Sequence, residues 1–320
     1  MIKVNIRILT IVICMWFLVQ GVSAKVAQKE GYIEYMGGKT WYKIVGSGHG
    51  IPLIAIHGGP GFPHYYLEPL ELLADERPVI FYDQRGCGKS DPLTDTSLMT
   101  IEFFVGELKA LIKQLNLKRY HIMGQSWGTM ISCDFALTQP KGLKSMVFSG
   151  PCLSALFWEQ DQREHIKALP QDMQEAIYFS EATGDYSTPE YQAAIMEFYN
   201  RYVCRINPWP ESLMKSMNEI NMQIYGYMWG PSEFTALGTL KDYDRTYQLH
   251  MIEYPTLLTC GSWDEADPKT VKYYKNLMPN ACMKIFYNAS HEHHLEQPKE
   301  YIKTVRIFLH KVEHHKPIGH

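Results

Sequence analysis

Gly124-Gln125-Ser126-Trp127-Gly128 sets one serine between two glycines, a spacing that lets a hydroxyl stand out of a tight, close-packed turn. A serine hydroxyl is a poor nucleophile until a base takes its proton, and that base needs a carboxylate to orient it. Both partners occur downstream. The apolar run Pro255-Thr-Leu-Leu-Thr259 leads into Cys260-Gly-Ser-Trp-Asp264-Glu265-Ala-Asp267-Pro268, and Met283-Lys-Ile-Phe-Tyr287 leads into Asn288-Ala-Ser-His291-Glu-His-His294. Asp264 is the favoured acid and His291 the favoured base, in the chain order Ser126, Asp264, His291. Asp267 directly precedes Pro268 and reads as a helix N-cap instead. His293 and His294 compete with His291, and a His-rich run can also bind metal. His291 stands nearest the end of the apolar run and follows small residues, which favours it for a tight turn into a site. No metal and no organic cofactor is called for by this chemistry.

Attack on a carbonyl also needs two N–H donors for the oxygen that becomes negative. One is expected from Trp127, directly after the serine. The other is expected from Gly59 in His57-Gly-Gly-Pro-Gly61, whose glycines let a backbone approach a substrate closely.

These groups need a frame of strands and helices. Arg119-Tyr-His-Ile-Met123 reads as a strand before Ser126, and residues 129–137 as a helix after it. Gly31-Tyr-Ile-Glu-Tyr-Met36 and Thr40-Trp-Tyr-Lys-Ile-Val45 flank Gly37-Gly-Lys39 as a hairpin. Ile51-Pro-Leu-Ile-Ala-Ile56 and Pro78-Val-Ile-Phe-Tyr82 are continuous apolar runs, as in strands buried on both faces. Residues 144–148, 256–259 and 283–287 complete the strand series. Helices fit residues 101–115, 268–277 and 298–309, the last two opened by proline. Alternation of this kind implies an α/β fold, a mostly parallel central sheet flanked by helices. Residues 151–240 break the rhythm with helical patterns only, so a helical cap is expected there, inserted after the sixth strand. The core would then comprise residues 25–150 and 241–320.

The chain has 320 residues, 46% hydrophobic and 20% charged, with a net charge of -3. That balance suits a globular protein and gives no reason to expect a nucleic-acid partner. Lys3 and Arg7, an apolar run over residues 8–19 and Val22-Ser-Ala24 read as a signal peptide cleaved after Ala24. The expected destination is periplasmic or secreted, without stable membrane association after cleavage; the alternative is anchoring by an uncleaved segment. The run is shorter than the roughly 20 residues of a spanning helix. Cys87, Cys133, Cys152, Cys204, Cys260 and Cys282 remain in the mature chain. Free buried thiols are expected, with room for one bridge.

The chain resembles the proline iminopeptidases, serine exopeptidases of the α/β-hydrolase fold. The resemblance spans nearly all the mature chain and is carried by His57-Gly-Gly-Pro-Gly61, Tyr82-Asp-Gln-Arg-Gly-Cys-Gly-Lys-Ser90, Gly124-Gln-Ser-Trp-Gly128, Trp229-Gly-Pro-Ser-Glu-Phe234, Gly238-Thr-Leu-Lys-Asp-Tyr-Asp244 and Trp263-Asp-Glu265. It implies the triad Ser126, Asp264 and His291 with donors at Gly59 and Trp127. It further implies that Glu233 and Glu265 hold the free amino end of a short peptide, with Glu197 a weaker third. A protonated amine in a water-poor pocket needs such carboxylates. The activity implied is release of an N-terminal residue, proline favoured and other uncharged residues possible, through an acyl-enzyme. An esterase or amino-acid amidase of the same fold is the rival, and a non-catalytic ligand-binding relative a more distant one. Trp229 and Tyr227 are expected as apolar walls. Thr129 departs from the glycine common in the family, a mild change in the first helical turn.

Overall fold

The computed structural model describes residues 27–319; the expected signal peptide lies outside them. Eight strands form one sheet in the order β1-β2-β4-β3-β5-β6-β7-β8. They span Gln28–Tyr35 (β1), Gly38–Val45 (β2), Leu53–Ile56 (β3), Val79–Tyr82 (β4), Tyr120–Gln125 (β5), Leu143–Ser149 (β6), Thr256–Gly261 (β7) and Ala281–Phe286 (β8). The hairpin β1–β2 and the pair β2–β4 are antiparallel. Every pairing from β4 through β8 is parallel. Strands β3, β4, β5 and β7 are buried along their whole length. Their unbroken apolar character follows, because helices cover both faces of a parallel sheet.

The flanking helices are α1 (Ile101–Gln114), α2 (Trp127–Leu137), α8 (Pro268–Leu277), the single turn α9 (His293–Glu296) and α10 (Pro298–Glu313), with a 3₁₀ segment at His64–Leu73. Between β6 and β7 come five helices: α3 (Ala155–Lys167), α4 (Gln171–Thr183), α5 (Pro189–Tyr202), α6 (Glu211–Asn218) and α7 (Met222–Met228). Part of this insertion has its own small core, in which Ile166, Ile177, Tyr191, Phe198 and Phe234 are buried. Local chemistry sets several helix starts. Thr100 caps α1 by accepting from Phe103 N–H, and Asp267 caps α8 by accepting from Lys269 N–H.

Two boundary shifts have a direct local cause. β3 begins at Leu53 rather than Ile51, since Pro52 has no N–H to give a ladder. Helix α2 begins at Trp127 rather than Thr129, because the chain turns directly from strand into helix at Ser126.

The strand order reverses beside β3: β4 lies on one side of it and β5 on the other. Loops leaving such neighbours open a crevice at the carboxyl ends of the strands. Ile56 pairs with Gly124 across β3 and β5, so His57-Gly-Gly and Ser126 emerge side by side. In the same way Gly261 pairs with Phe286 across β7 and β8, so the loops carrying Asp264 and His291 leave together.

Candidate active site

Ser126 has φ 52° and ψ −121°, a positive-φ conformation that costs a non-glycine residue free energy and survives only where packing imposes it. The two glycines make that packing possible. A Cβ on Gly124 would lie 2.3 Å from the carbonyl oxygen of Gly128, and one on Gly128 would lie 2.3 Å from that of Ile56. Backbone hydrogen bonds hold the turn: Ser126 N–H donates to Ser149 O at 3.0 Å and Thr129 N–H to Ser126 O at 2.7 Å. Thr129 adds a clamp of its own. Its hydroxyl donates to Ser126 O at 2.6 Å and accepts from Cys152 N–H at 3.0 Å.

Asp264 is fully buried, and both of its oxygens are engaged. Oδ1 accepts from Ala266 N–H at 2.9 Å and lies 2.7 Å from His291 Nδ1, while Oδ2 accepts from Gly261 N–H at 3.0 Å. Burial opposes ionisation, but pairing with His291 and His293 outweighs it and holds the carboxyl well below the usual range. His291 is 3% exposed. Its N–H donates to Tyr202 O at 2.9 Å, so the end of α5 fixes the backbone of this loop. Burial alone would lower the imidazole's pKa. The carboxylates of Glu265 and Asp264 reverse that and raise it to about 10. Nε2 lies 3.4 Å from Glu265 Oε1, and Ser126 lines the same cavity as His291. Hydrogen bonds between such a serine and histidine often tighten only with substrate in place.

His293 and His294 do not line the cavity, although His293 Nδ1 lies 3.5 Å from Asp264 Oδ2. His293 Nε2 bonds the hydroxyls of Ser149 at 3.0 Å and Thr259 at 2.9 Å, while its Nδ1 meets Ser290 O at 3.1 Å. His294 Nε2 meets Tyr66 O at 3.1 Å. Both serve the floor beneath the loop.

Gly59 has φ +107°, open to glycine and strained for other residues. The neighbouring loop is held from below: Gly58 N–H donates to Tyr66 Oη, which donates to Gln125 Oε1, each at 2.6 Å. Among the described residues, neither Gly59 N–H nor Trp127 N–H donates to a protein acceptor. Trp127 also opens α2, where the partial positive charge of a helix terminus gathers.

The cavity in front of Ser126 holds about 270 Å³ and is walled by Phe62, Leu213, Met217 and Ile220 among others. Its acidic groups are Glu233, Glu265 and Glu292, with His291 beside them and no lysine or arginine in the lining. Glu233 Oε1 accepts from Tyr225 Oη at 2.6 Å. Glu265 is 1% exposed, and its Oε2 has no hydrogen-bond partner among the described residues. Burial, reinforced by Glu233 and Asp264, pushes the Glu265 carboxyl well up. Behind Ser126 a narrow recess of about 10 Å³ lies between Trp158, Trp229, Cys152 and Met130, with Glu233 at its edge.

Two expectations from the sequence need correcting. Glu197 pairs with Arg201 one helical turn away, Nε to Oε1 at 2.7 Å, and does not line the cavity. Tyr227 is 41% exposed; the wall opposite Trp229 is Trp158, whose indole Nε1 donates to Glu233 O at 2.9 Å. Sequence reading also missed Tyr225 and Glu292. Tyr225 shares a helical aromatic pattern with core residues, and Glu292 hides in the run between His291 and His294.

One other cluster has metal-ligand types. His57, Asp83 and Cys87 present their ligand atoms within 4.8 Å of one another. Those atoms are already committed. His57 Nε2 accepts from Gln84 N–H at 2.9 Å, and burial holds this imidazole down to about 4. Asp83 accepts from the backbones of His64 and Lys89 and from the His64 ring. The cluster ties the oxyanion-side loop to the loop after β4.

Comparison with known proteins places this geometry in company. The family model described as "alpha/beta hydrolase fold" matches residues 51–298. A proline iminopeptidase of Heyndrickxia coagulans is 46% identical over 285 residues, covering 88% of this chain and 99% of that protein. One from Clostridium botulinum is 37% identical over 287 residues, covering 88% and 98%. The crystal structure of proline iminopeptidase from Mycobacterium smegmatis superposes with a TM-score of 0.83 at 35% identity, covering 89% of this chain and 99% of that one.

Proposed function

The chain belongs to the α/β-hydrolase fold family and, within it, to the proline iminopeptidases; from that membership we propose that it is a serine aminopeptidase releasing an N-terminal residue, proline by preference, from short peptides. The observation that carries the reading is the pair of glutamates, half-buried Glu233 and buried Glu265, lining one cavity with Ser126 and His291.

In this reading Ser126 Oγ attacks the first peptide carbonyl and passes its proton to His291 Nε2. Asp264 holds the ring through Nδ1 at 2.7 Å and stabilises the imidazolium that forms. The N–H groups of Gly59 and Trp127 receive the oxyanion. His291 then protonates the leaving amine, and water, activated by the same base, hydrolyses the acyl-enzyme. The substrate's ammonium sits between Glu233 and Glu265. There it also cancels negative charge 3.4 Å from His291 Nε2, lowering the imidazole's pKa towards that of a working base. Amine recognition and base activation become one event.

Aminoacyl-naphthylamides with free and acetylated amino ends test the reading. Turnover confined to free amines, highest for proline, is expected. Equal turnover of acetylated substrates overturns it in favour of an esterase or amidase. Export belongs to the same proposal and rests on residues 1–24; N-terminal sequencing of the protein recovered outside the cytoplasm should begin at Lys25.

A further inference from the structure

The two glutamates assigned to the substrate's ammonium come from separate stretches, Glu233 from the loop after α7 and Glu265 from the loop after β7. One helix of the insertion holds the backbone of both. Along α3, Trp158 Nε1 donates to Glu233 O at 2.9 Å, and Gln162 Nε2, one turn on, donates to Glu265 O at 2.8 Å. Residues four apart share a helix face. His165, on the next turn of that face, stacks on Tyr202 with ring centroids 4.2 Å apart, and Tyr202 O accepts the His291 N–H. The helix is itself tied down on either side of Gln162. Asp161 Oδ1 accepts from Thr270 Oγ1 of α8 at 2.9 Å, and the Arg163 guanidinium bonds both carboxylate oxygens of Glu181 in α4 at 2.9 and 2.8 Å.

Gln162 is fully buried, and its amide is only half satisfied. Nε2 donates to Trp158 O at 3.0 Å and to Glu265 O at 2.8 Å, whereas Oε1 has no partner among the described residues. Two carbonyl acceptors fix which end of the amide faces them. An orphaned buried oxygen costs free energy that an apolar side chain of similar length would avoid. Such a side chain would forfeit the donor to Glu265 O. That donor matters because the Glu265 side chain gives its own loop no firm anchor: Oε2 has no partner, and Oε1 lies 3.4 Å from His291 Nε2.

We propose that Gln162 is a positioning residue for amine recognition, its amide fixing the main chain at Glu265 and so the place of this carboxylate in the cavity it shares with Glu233. The inference rests on the aminopeptidase reading. The test measures kcat and KM on prolyl-naphthylamide for the wild type, Gln162→Met, Glu265→Gln and the double variant. Gln162→Leu is a second replacement without a donor, and urea unfolding checks that each variant is folded. Gln162→Met should lower kcat/KM about tenfold, chiefly by raising KM, because a carboxylate displaced by a fraction of an ångström loses much of its hold on the substrate. Once Glu265→Gln has removed the charge being placed, the same replacement should cost about twofold or less. A wild-type KM in folded Gln162→Met or Gln162→Leu overturns this inference alone, as does an equal loss with and without Glu265→Gln, the mark of a loosened cap. Failure of the wild type to turn over prolyl-naphthylamide overturns the aminopeptidase reading and this inference together.

Discussion

On the sheet side of Ser126, each oxygen of Asp264 has a donor and His291 is held through both its backbone and its Nδ1. On the cap side, Glu265 and Glu292 each bury an oxygen without a partner, and Glu233 has one tyrosine hydroxyl. Both regions remove carboxylates from water, which is costly unless a partner compensates. The sheet side supplies those partners from its own loops and is ordered in advance for one proton transfer. The cap side leaves these carboxyl oxygens without protein donors, and on the proposed reading the substrate's ammonium is the partner they lack. The two arrangements share elements: the loops after β7 and β8 each carry a fully partnered group, Asp264 or His291, followed directly by a cavity glutamate, Glu265 or Glu292, and only Glu233 comes from the insertion.

The division fails outright if the sheet-side groups prove dispensable. Ser126→Ala is expected to lower kcat on prolyl-naphthylamide by roughly 10⁴-fold or more, and retention of more than a trace of activity removes the nucleophile assignment. A smaller effect should follow on the cap side. Glu265→Gln and Glu233→Gln each keep the shape but remove a charge, and should reduce kcat/KM for free-amino substrates about 10- to 100-fold. If the loss falls equally on acetylated substrates, the glutamates shape the pocket rather than read the amine.

The two regions touch at His291 Nε2, and pH should expose that contact. Because nearby carboxylates raise the imidazole's pKa, the base form is lost as pH falls through a value above the ordinary 6.5. Glu265→Gln removes one raising charge, so the acid limb of kcat/KM should move to lower pH. An unmoved limb would mean that Asp264 alone sets the base. The smallest effect concerns the elbow. Thr129→Val strips the hydroxyl that serves Ser126 O and Cys152 N–H, leaving a buried donor unsatisfied. It should destabilise the fold by about 1–3 kcal/mol in urea unfolding, whereas Thr129→Ser should lose clearly less.

The strand series and the order Ser126, Asp264, His291 were legible because both leave strong local marks. Apolar runs bounded by turn residues announce buried strands, and a serine between two glycines announces a turn too tight for other side chains. The helical character of the insertion was legible for the same reason. Individual roles within it were not. Glu197 and Glu233 look alike in sequence, yet one spends its charge on Arg201 along a helix while the other turns into the cavity. Tyr227 and Tyr225 stand two residues apart on α7, and helical geometry sends them to different faces: Tyr227 is largely exposed and Tyr225 is buried against Glu233.

From its sequence alone this chain declares a parallel sheet, a turn built for an exposed hydroxyl, and an acid and base that each follow a strand. These are properties of short segments, governed by backbone sterics and side-chain periodicity. Only the tertiary structure decides how many carboxylates surround the candidate base, because Glu233, Glu265 and Glu292 come from separate stretches of chain. Their charge state depends on burial and on one another. That balance is a property of the enclosed volume, and no local pattern of residues encodes it.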